Sequence, residues 1–145
     1  ALYDDDFYCE LICDSMGIHV KPHMLRLVAK IKGPNKGILV TDHYPENCEK
    51  PEGPIMGGEK AADLGYCITG EIIGSMMTLN VACRNMMAHT GCGICQAVKY
   101  ASLNPARMLG IDDRYGSIEK GKIANLILID DMFHVEKVIF EGQVQ

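Results

Sequence analysis

Asp42 closes the run Lys36-Gly37-Ile38-Leu39-Val40-Thr41, which is apolar and partly β-branched. The carboxyl end of such a strand is where α/β proteins set their reacting groups. A carboxylate there can take a proton from an attacking water and return one to a leaving group; the plainer alternative is an Asp that caps the turn after the strand. His19 follows a second strand-like run, residues 7–13, through the turn-forming Asp14-Ser15-Met16-Gly17. If the two strands run parallel, His19 and Asp42 reach one rim and face one cleft, the alternative for His19 being an exposed loop histidine. His43 leaves the strand on the side opposite to Asp42, which argues against a metal held by both. Gly74-Ser75 reads as a helix start whose backbone N–H groups could meet an anion or a hydroxyl, or as a helix start with no ligand. Cys92-Gly93-Ile94-Cys95 has the spacing of a redox or zinc half-site, yet no second Cys-x2-Cys pair is there to complete a zinc site. It also lies between two predicted helices, whereas a thioredoxin-like pair follows a strand.

The elements that must position these groups are set by local pattern. Residues 7–13 form an apolar strand that stops at Asp14-Ser15-Met16-Gly17. Pro22 suits a first helical position, and Met24, Leu25, Leu27, Val28 and Ile31 recur at helical spacing until Gly33-Pro34 ends the run. With the strand before Asp42 this makes a βαβ unit, whose strands should lie parallel and be covered on one face by helix. Residues 43–69 hold several Pro and Gly and read as a long insertion loop, with a possible hairpin at Gly65-Tyr66-Cys67-Ile68. Ser75 or Thr78 is placed to cap a helix through Leu79 to about His89, a second helix spans Ile94 to Ala101, and Asn104-Pro105-Ala106-Arg107 opens a third. Met76, Met77, Met86 and Met87 read as core filler. Two β-rich runs, residues 123–129 and 135–140, close the chain as a separate antiparallel sheet.

The 145 residues suffice for a buried core, and 48% hydrophobic with 23% charged residues is a soluble globular composition. A net charge of −5 with no basic stripe argues against nucleic acid. No apolar run reaches the ~18 residues of a membrane span, and no charged-then-apolar amino terminus suggests a secretion signal. The seven Cys are scattered, which suits reduced thiols and a cytoplasmic setting.

Several stretches together resemble the N-acetylglucosamine-6-phosphate deacetylase family in order and spacing. They are Leu11-Ile12-Cys13-Asp14 with Gly17-Ile18-His19-Val20, Leu39-Val40-Thr41-Asp42, Ile73-Gly74-Ser75, and Ala101 to Arg107 with Leu109-Gly110. The tail from Gly116 to Leu126 is similar to the closing motif of many amidohydrolases. The resemblance implies an α/β fold: residues 1–110 as the last two strands and helices of a (β/α)8 TIM-type barrel, and residues 111–145 as strands of a small β-sandwich. It implies that Asp42 is the catalytic carboxylate, that Gly17, Ile18 and His19 contact the sugar or its phosphate, and that Ile72, Ile73 and Gly74 line the sugar site with backbone.

The same resemblance implies a divalent metal, zinc, iron or manganese, in the complete enzyme. Its ligands, a Glu and two His, would lie on earlier strands together with an Arg for the phosphate, so this chain alone is expected to hold no metal and to be inactive. Ser15-Met16 looks like a two-residue insertion beside His19, and His43-Tyr44-Pro45 replaces small residues after Asp42. The expected ligand is a small amino-sugar phosphate, and open strand edges point to a homo-oligomer. The alternatives are another metal-dependent amidohydrolase, a non-catalytic oligomeric module, and, further off, a Cys-based zinc module.

Overall fold

A computed structural model describes residues 2–44, 63–67 and 69–145. Strand β1 (Cys9–Ile12) lies parallel to β2 (Gly37–Val40), with Leu11 opposite Leu39. Helix α1 (Pro22–Lys32) connects them and ends in a 3-10 turn at Gly33–Asn35. Pro22 occupies the first turn, where its missing N–H costs nothing, and Gly33 takes a left-handed φ of 61° to end the helix. The βαβ unit expected from the pattern is therefore present.

The helix differs from expectation in its packing. Leu25 and Val28 are buried, whereas Met24, Leu27 and Ile31 remain 36%, 41% and 40% exposed. Periodicity groups all five on one face; the described residues cover only the narrower stripe turned to β1, β2 and the next helix. Phe7, expected at the start of the first strand, is exposed and precedes β1, which begins at Cys9.

The possible hairpin exists and is longer than expected: β3 (Leu64–Tyr66) pairs antiparallel with β4 (Ile72–Ser75). Residues 45–62 of the insertion loop, and Ile68, lie outside the described residues. Gly74-Ser75 is not a helix start. It ends strand β4, and α2 (Leu79–Thr90) begins after Thr78, whose extended backbone makes it the N-cap without a side-chain cap hydrogen bond. The local residues allow either end of that segment to break into a helix; the pairing with β3 decides for the strand.

Helices α3 (Ile94–Ala101) and α4 (Leu103–Met108) follow as expected. Leu25, Met86 and Tyr100, fully buried, share the main core with Leu11, Leu39 and Met77. Each such side chain contributes about 1.5–3 kcal/mol relative to exposure. Met77 and Met86 thus are core filler, while Met76 and Met87 are half-buried. Asn104, wholly buried, donates from Nδ2 to the carbonyls of Pro34 (3.1 Å) and Gly37 (2.8 Å), pinning α4 to the entrance of β2.

The tail forms a three-stranded antiparallel sheet, β5 (Leu126–Ile129), β6 (Val135–Phe140) and β7 (Gln143–Val144), in that order. Phe133, in the turn between β5 and β6, is buried in the main core, and Asn80 of α2 donates to its carbonyl at 2.8 Å. The sheet is separate in hydrogen bonding and continuous with the rest in packing. Among the described residues no helix is long and apolar enough to cross a membrane.

Candidate functional site

β1 delivers the chain to Cys13 and Asp14, both fully buried. From there a tight turn through exposed Ser15 and Met16 brings the Gly17 amide back to the Asp14 carbonyl at 3.1 Å. Gly17 holds φ at 62°, and a Cβ there would sit 2.5 Å from Pro22 Cδ, so the turn can pack against the start of α1 only with glycine. Ser15 and Met16, the apparent insertion, form the tip of this turn.

The Asp14 carboxylate organises the loop beyond the turn. Oδ1 accepts the amide of Ile18 at 2.8 Å; Oδ2 accepts the amide of His19 at 2.9 Å and meets His19 Nδ1 at 3.2 Å. Burial by itself pushes the Asp14 carboxyl up, but those two amides and the His19 ring outweigh it and hold the group below its ordinary value. The Asp14 carbonyl also accepts from His89 Nε2 at 2.9 Å, and Asn85 Nδ2 donates to the Cys13 carbonyl at 2.9 Å, so α2 clamps the end of β1 from outside.

β2 ends one residue before Thr41, and Asp42 comes next with φ 47°, a left-handed conformation uncommon outside glycine. The conformation is held from β4. Ser75 donates its amide to the Asp42 carbonyl at 2.8 Å and its hydroxyl to the Thr41 carbonyl, and Tyr44 donates to the Ser75 carbonyl at 3.0 Å. Gly74, at φ 135°, brings its Cα so close to the Asp42 carbonyl that a Cβ would clash with it. The Asp42 side chain is exposed and makes no hydrogen bond with a described residue. His43 has Nδ1 3.3 Å from the Met77 carbonyl.

The hairpin joins the two halves of the site. Ile18 from the His19 loop and Ile72 from β4 both pack on buried Leu64 and Tyr66 of β3. Ile73 is the extra residue of a β-bulge, since Gly74 pairs with Gly65 and Ile72 with Tyr66. Such bulges re-aim neighbouring side chains and are over-represented beside functional sites. Asp63, just before β3, accepts the Ser15 amide at 2.5 Å through Oδ2. Thus Gly17, Ile18 and His19 lie on one side of the hairpin, Asp42 on the other, and Ile72, Ile73 and Gly74 belong to the hairpin itself.

Sequence reasoning misses two acidic residues as site components. By pattern Asp14 is only a turn former, though an Asp five residues ahead of a His, across a glycine, has the reach to bond both the loop amides and the ring. Asp63 sits in an irregular segment, and no local signal marks its bond to Ser15. Of the Gly74-Ser75 amides, which could have met an anion or simply begun a helix, that of Ser75 is taken by the Asp42 carbonyl.

Among the described residues no group of three or more His, Cys, Asp or Glu could hold a metal ion. Asp42 is one carboxylate with no second ligand beside it among those residues, so the donor set present does not fit a divalent cation. Cys92 and Cys95 are free thiols, the first half-buried and the second exposed.

Known proteins are similar to this chain over nearly its whole length. The amidohydrolase family profile matches residues 17–144. An N-acetylglucosamine-6-phosphate deacetylase of Haemophilus influenzae is 32% identical over 99% of this chain and 38% of its own length. A putative N-acetylgalactosamine-6-phosphate deacetylase of Escherichia coli K12 is 33% identical over 99% of this chain and 86% of its own length. The crystal structure of N-acetylglucosamine-6-phosphate deacetylase from Thermotoga maritima superposes with a TM-score of 0.80 at 34% identity, over 99% of this chain and 39% of that one. The chain therefore spans about two fifths of the Haemophilus and Thermotoga proteins.

Proposed function

This chain belongs to the amidohydrolase family, and on that premise we propose that it supplies the catalytic carboxylate and part of the sugar-binding rim of an N-acetylglucosamine-6-phosphate deacetylase. The observation that carries the reading is Asp42: a carboxylate at the carboxyl end of a parallel strand, its side chain unbonded to any described residue and its backbone fixed by the Gly74-Ser75 strip. In this reading residues 1–110 are the last two strands of a (β/α)8 barrel with their helices, and residues 111–145 are strands of a small sandwich.

Hydrolysis of an acetamide needs a proton removed from the attacking water and one delivered to the departing amine, and a single carboxylate can serve both in turn. Asp42 is assigned that role. Gly17, Ile18 and His19 face the sugar, and Ile72, Ile73 and Gly74 form a backbone wall stiffened by the bulge and by the bond from Ser75. Amidohydrolases generally use a divalent metal; since the described residues do not provide its ligands, zinc, iron or manganese would be held by residues other than these. The chain by itself is then inactive, and its open strand edges would be covered by further barrel strands or by a second copy.

The test is acetate release from N-acetylglucosamine 6-phosphate by this chain and by the same chain joined to upstream strands that complete the barrel. Activity only in the completed barrel, lowered by about 10²–10⁴ in Asp42→Asn, is the expected result; turnover by the chain alone would overturn the assignment of the metal site to other residues. A second reading, N-acetylgalactosamine 6-phosphate as substrate, is favoured by the likeness to the Escherichia coli protein. The same assay with both epimers separates the two.

A further inference from the structure

Strand β5 is left uncovered in a way that its composition does not suit. Leu126, Ile127, Leu128 and Ile129 are all aliphatic, the pattern of a strand buried on both faces. Successive side chains of a strand point to opposite faces, yet Ile127 is 56% and Leu128 51% exposed, so both faces stand open. One edge is free as well: among the described residues β5 pairs only with β6. β5 also lines a groove of about 840 Å³, together with Leu103, Leu109 and Ile111 of α4 and the turn after it. Three polar residues of that lining are committed within the chain. Asn80 donates to the Phe133 carbonyl at 2.8 Å, Asn125 accepts the Glu141 amide at 2.8 Å, and Ser102 donates to the Gly116 carbonyl at 3.3 Å. What the groove offers an occupant is therefore chiefly apolar contact.

We propose that this surface is a self-association site, in which β5 of one copy pairs antiparallel with β5 of a second copy across a two-fold axis. Strand addition of this kind gains backbone hydrogen bonds along the edge, and every second side chain of the added strand is available to fill the apolar groove. An open apolar edge is a template for another strand, and the commonest closed arrangement of identical chains is the two-fold dimer, in which one patch meets itself.

The charges at the two ends of the strand favour a second copy as the occupant, and the antiparallel sense. Residues 123–129 carry no charge. Before them Lys122 is paired with Glu119 at 3.3 Å, which leaves Lys120 exposed with no ion pair among the described residues. After them Asp130 holds His134 Nδ1 at 2.8 Å, which leaves Asp131 in the same state. Antiparallel self-pairing sets the Lys120 end of each copy against the Asp131 end of the other; parallel pairing would bring like charges together. The Escherichia coli K12 relative, of which this chain covers 86%, has little further chain with which to cover the aligned segment.

The experiment is analytical ultracentrifugation of the 145-residue chain, from about 1 to 100 μM, where an interface without strong anchoring residues dissociates. The expected mass rises with concentration towards twice 16.0 kDa. Leu128→Lys, at a position exposed in the single chain, should leave the far-ultraviolet circular dichroism unchanged and give a monomer, because the two new cations meet near the axis. Lys120→Asp and Asp131→Lys should each weaken the dimer by roughly 2- to 10-fold, the effect of losing two exposed ion pairs. The double variant exchanges the charges and should return to the parent affinity. These charge variants decide the matter even if Leu128→Lys fails to fold. A parent that stays monomeric throughout overturns the proposal and leaves β5 to be covered by another segment or chain. A dimer indifferent to Leu128→Lys places the interface elsewhere, and a double variant weaker than both single ones overturns the antiparallel arrangement. Mass that climbs past the dimer reveals an open-ended contact and overturns the two-fold pairing.

Discussion

The carbonyl oxygen of Asp42 accepts the amide of Ser75 at 2.8 Å, which ties the end of a parallel strand to a hairpin thirty-three residues further along. A residue in a left-handed conformation at a strand end would otherwise be free to relax. Here the hairpin strand holds it, and Gly74 is the residue that lets the two backbones approach.

Gly74→Ala should therefore act on Asp42. The new methyl would meet the Asp42 carbonyl, and φ 135° is a conformation that L side chains rarely adopt. Overpacking and backbone strain together predict a loss of about 2–4 kcal/mol. Urea unfolding should show the loss, and the amide resonances of Asp42 and Ser75 should be the ones displaced. An unchanged midpoint would mean that the strip does not brace Asp42.

Stability should depend on Asp14 in acid. Its pKa is lowered in the folded chain from an ordinary value of 3.8. The stabilisation is thus fully present above about pH 4 and is lost as pH falls through the lower folded value, because the unfolded chain takes up the proton first. Asp14→Asn should lose roughly 2–3 kcal/mol near neutrality, the cost of unmaking hydrogen bonds to a charged group. It should also flatten the acid limb of the stability curve, measured by thermal unfolding between about pH 3 and 7. A parent curve that is flat over that range would contradict the role given to Asp14.

Asn104 offers a test of the Asn-Pro-Ala motif as a structural pin. Its Nδ2 donates to two carbonyls, Pro34 and Gly37. Asn104→Ala removes both bonds and should cost about 1–3 kcal/mol. Asn104→Asp sets an acceptor against two acceptors in a buried position and should cost more than the alanine. Denaturant midpoints of the two variants, compared with the parent, decide it; a tolerated Asp would show that the amide is not the donor.

The thiols should react in a set order. Burial pushes the Cys13 thiol up to about 12 and the Cys83 thiol up to about 11, with nearby Asp14 and Cys92, respectively, adding to the effect. Cys67 is lowered, chiefly by the hydrogen bond of its sulfur with the Thr69 hydroxyl, and Cys95 is exposed. Iodoacetamide at mildly alkaline pH should label Cys95 and Cys67 first and reach Cys13 and Cys83 only on unfolding. Peptide mass spectrometry over a time course reads the order, and early labelling of Cys13 would contradict the burial of the end of β1.

Local pattern alone determined much of this protein. Pro22 and Gly33 bracket α1, the β-branched run marks β2, and the motif stretches carry the family assignment, because helix ends, strand runs and short motifs depend on residues near one another in the chain. The position of Asp42 at a strand end was legible for the same reason. Which apolar residues of α1 are covered was not, since Leu25 and Leu27 look alike until a neighbour packs against one of them. Nor was the fate of Gly74-Ser75, whose choice between helix start and strand was made by pairing with β3. The acidic supports of the site lay furthest from view: Asp63 reaches Ser15 across 48 residues, and a hydrogen bond over that separation exists only once the hairpin has folded back onto the β1 loop. Elements are written in short-range periodicity; the bracing of Asp42 by Gly74 and Ser75, and of the Ser15 turn by Asp63, rests on long-range contacts, and only the tertiary structure brings those residues together.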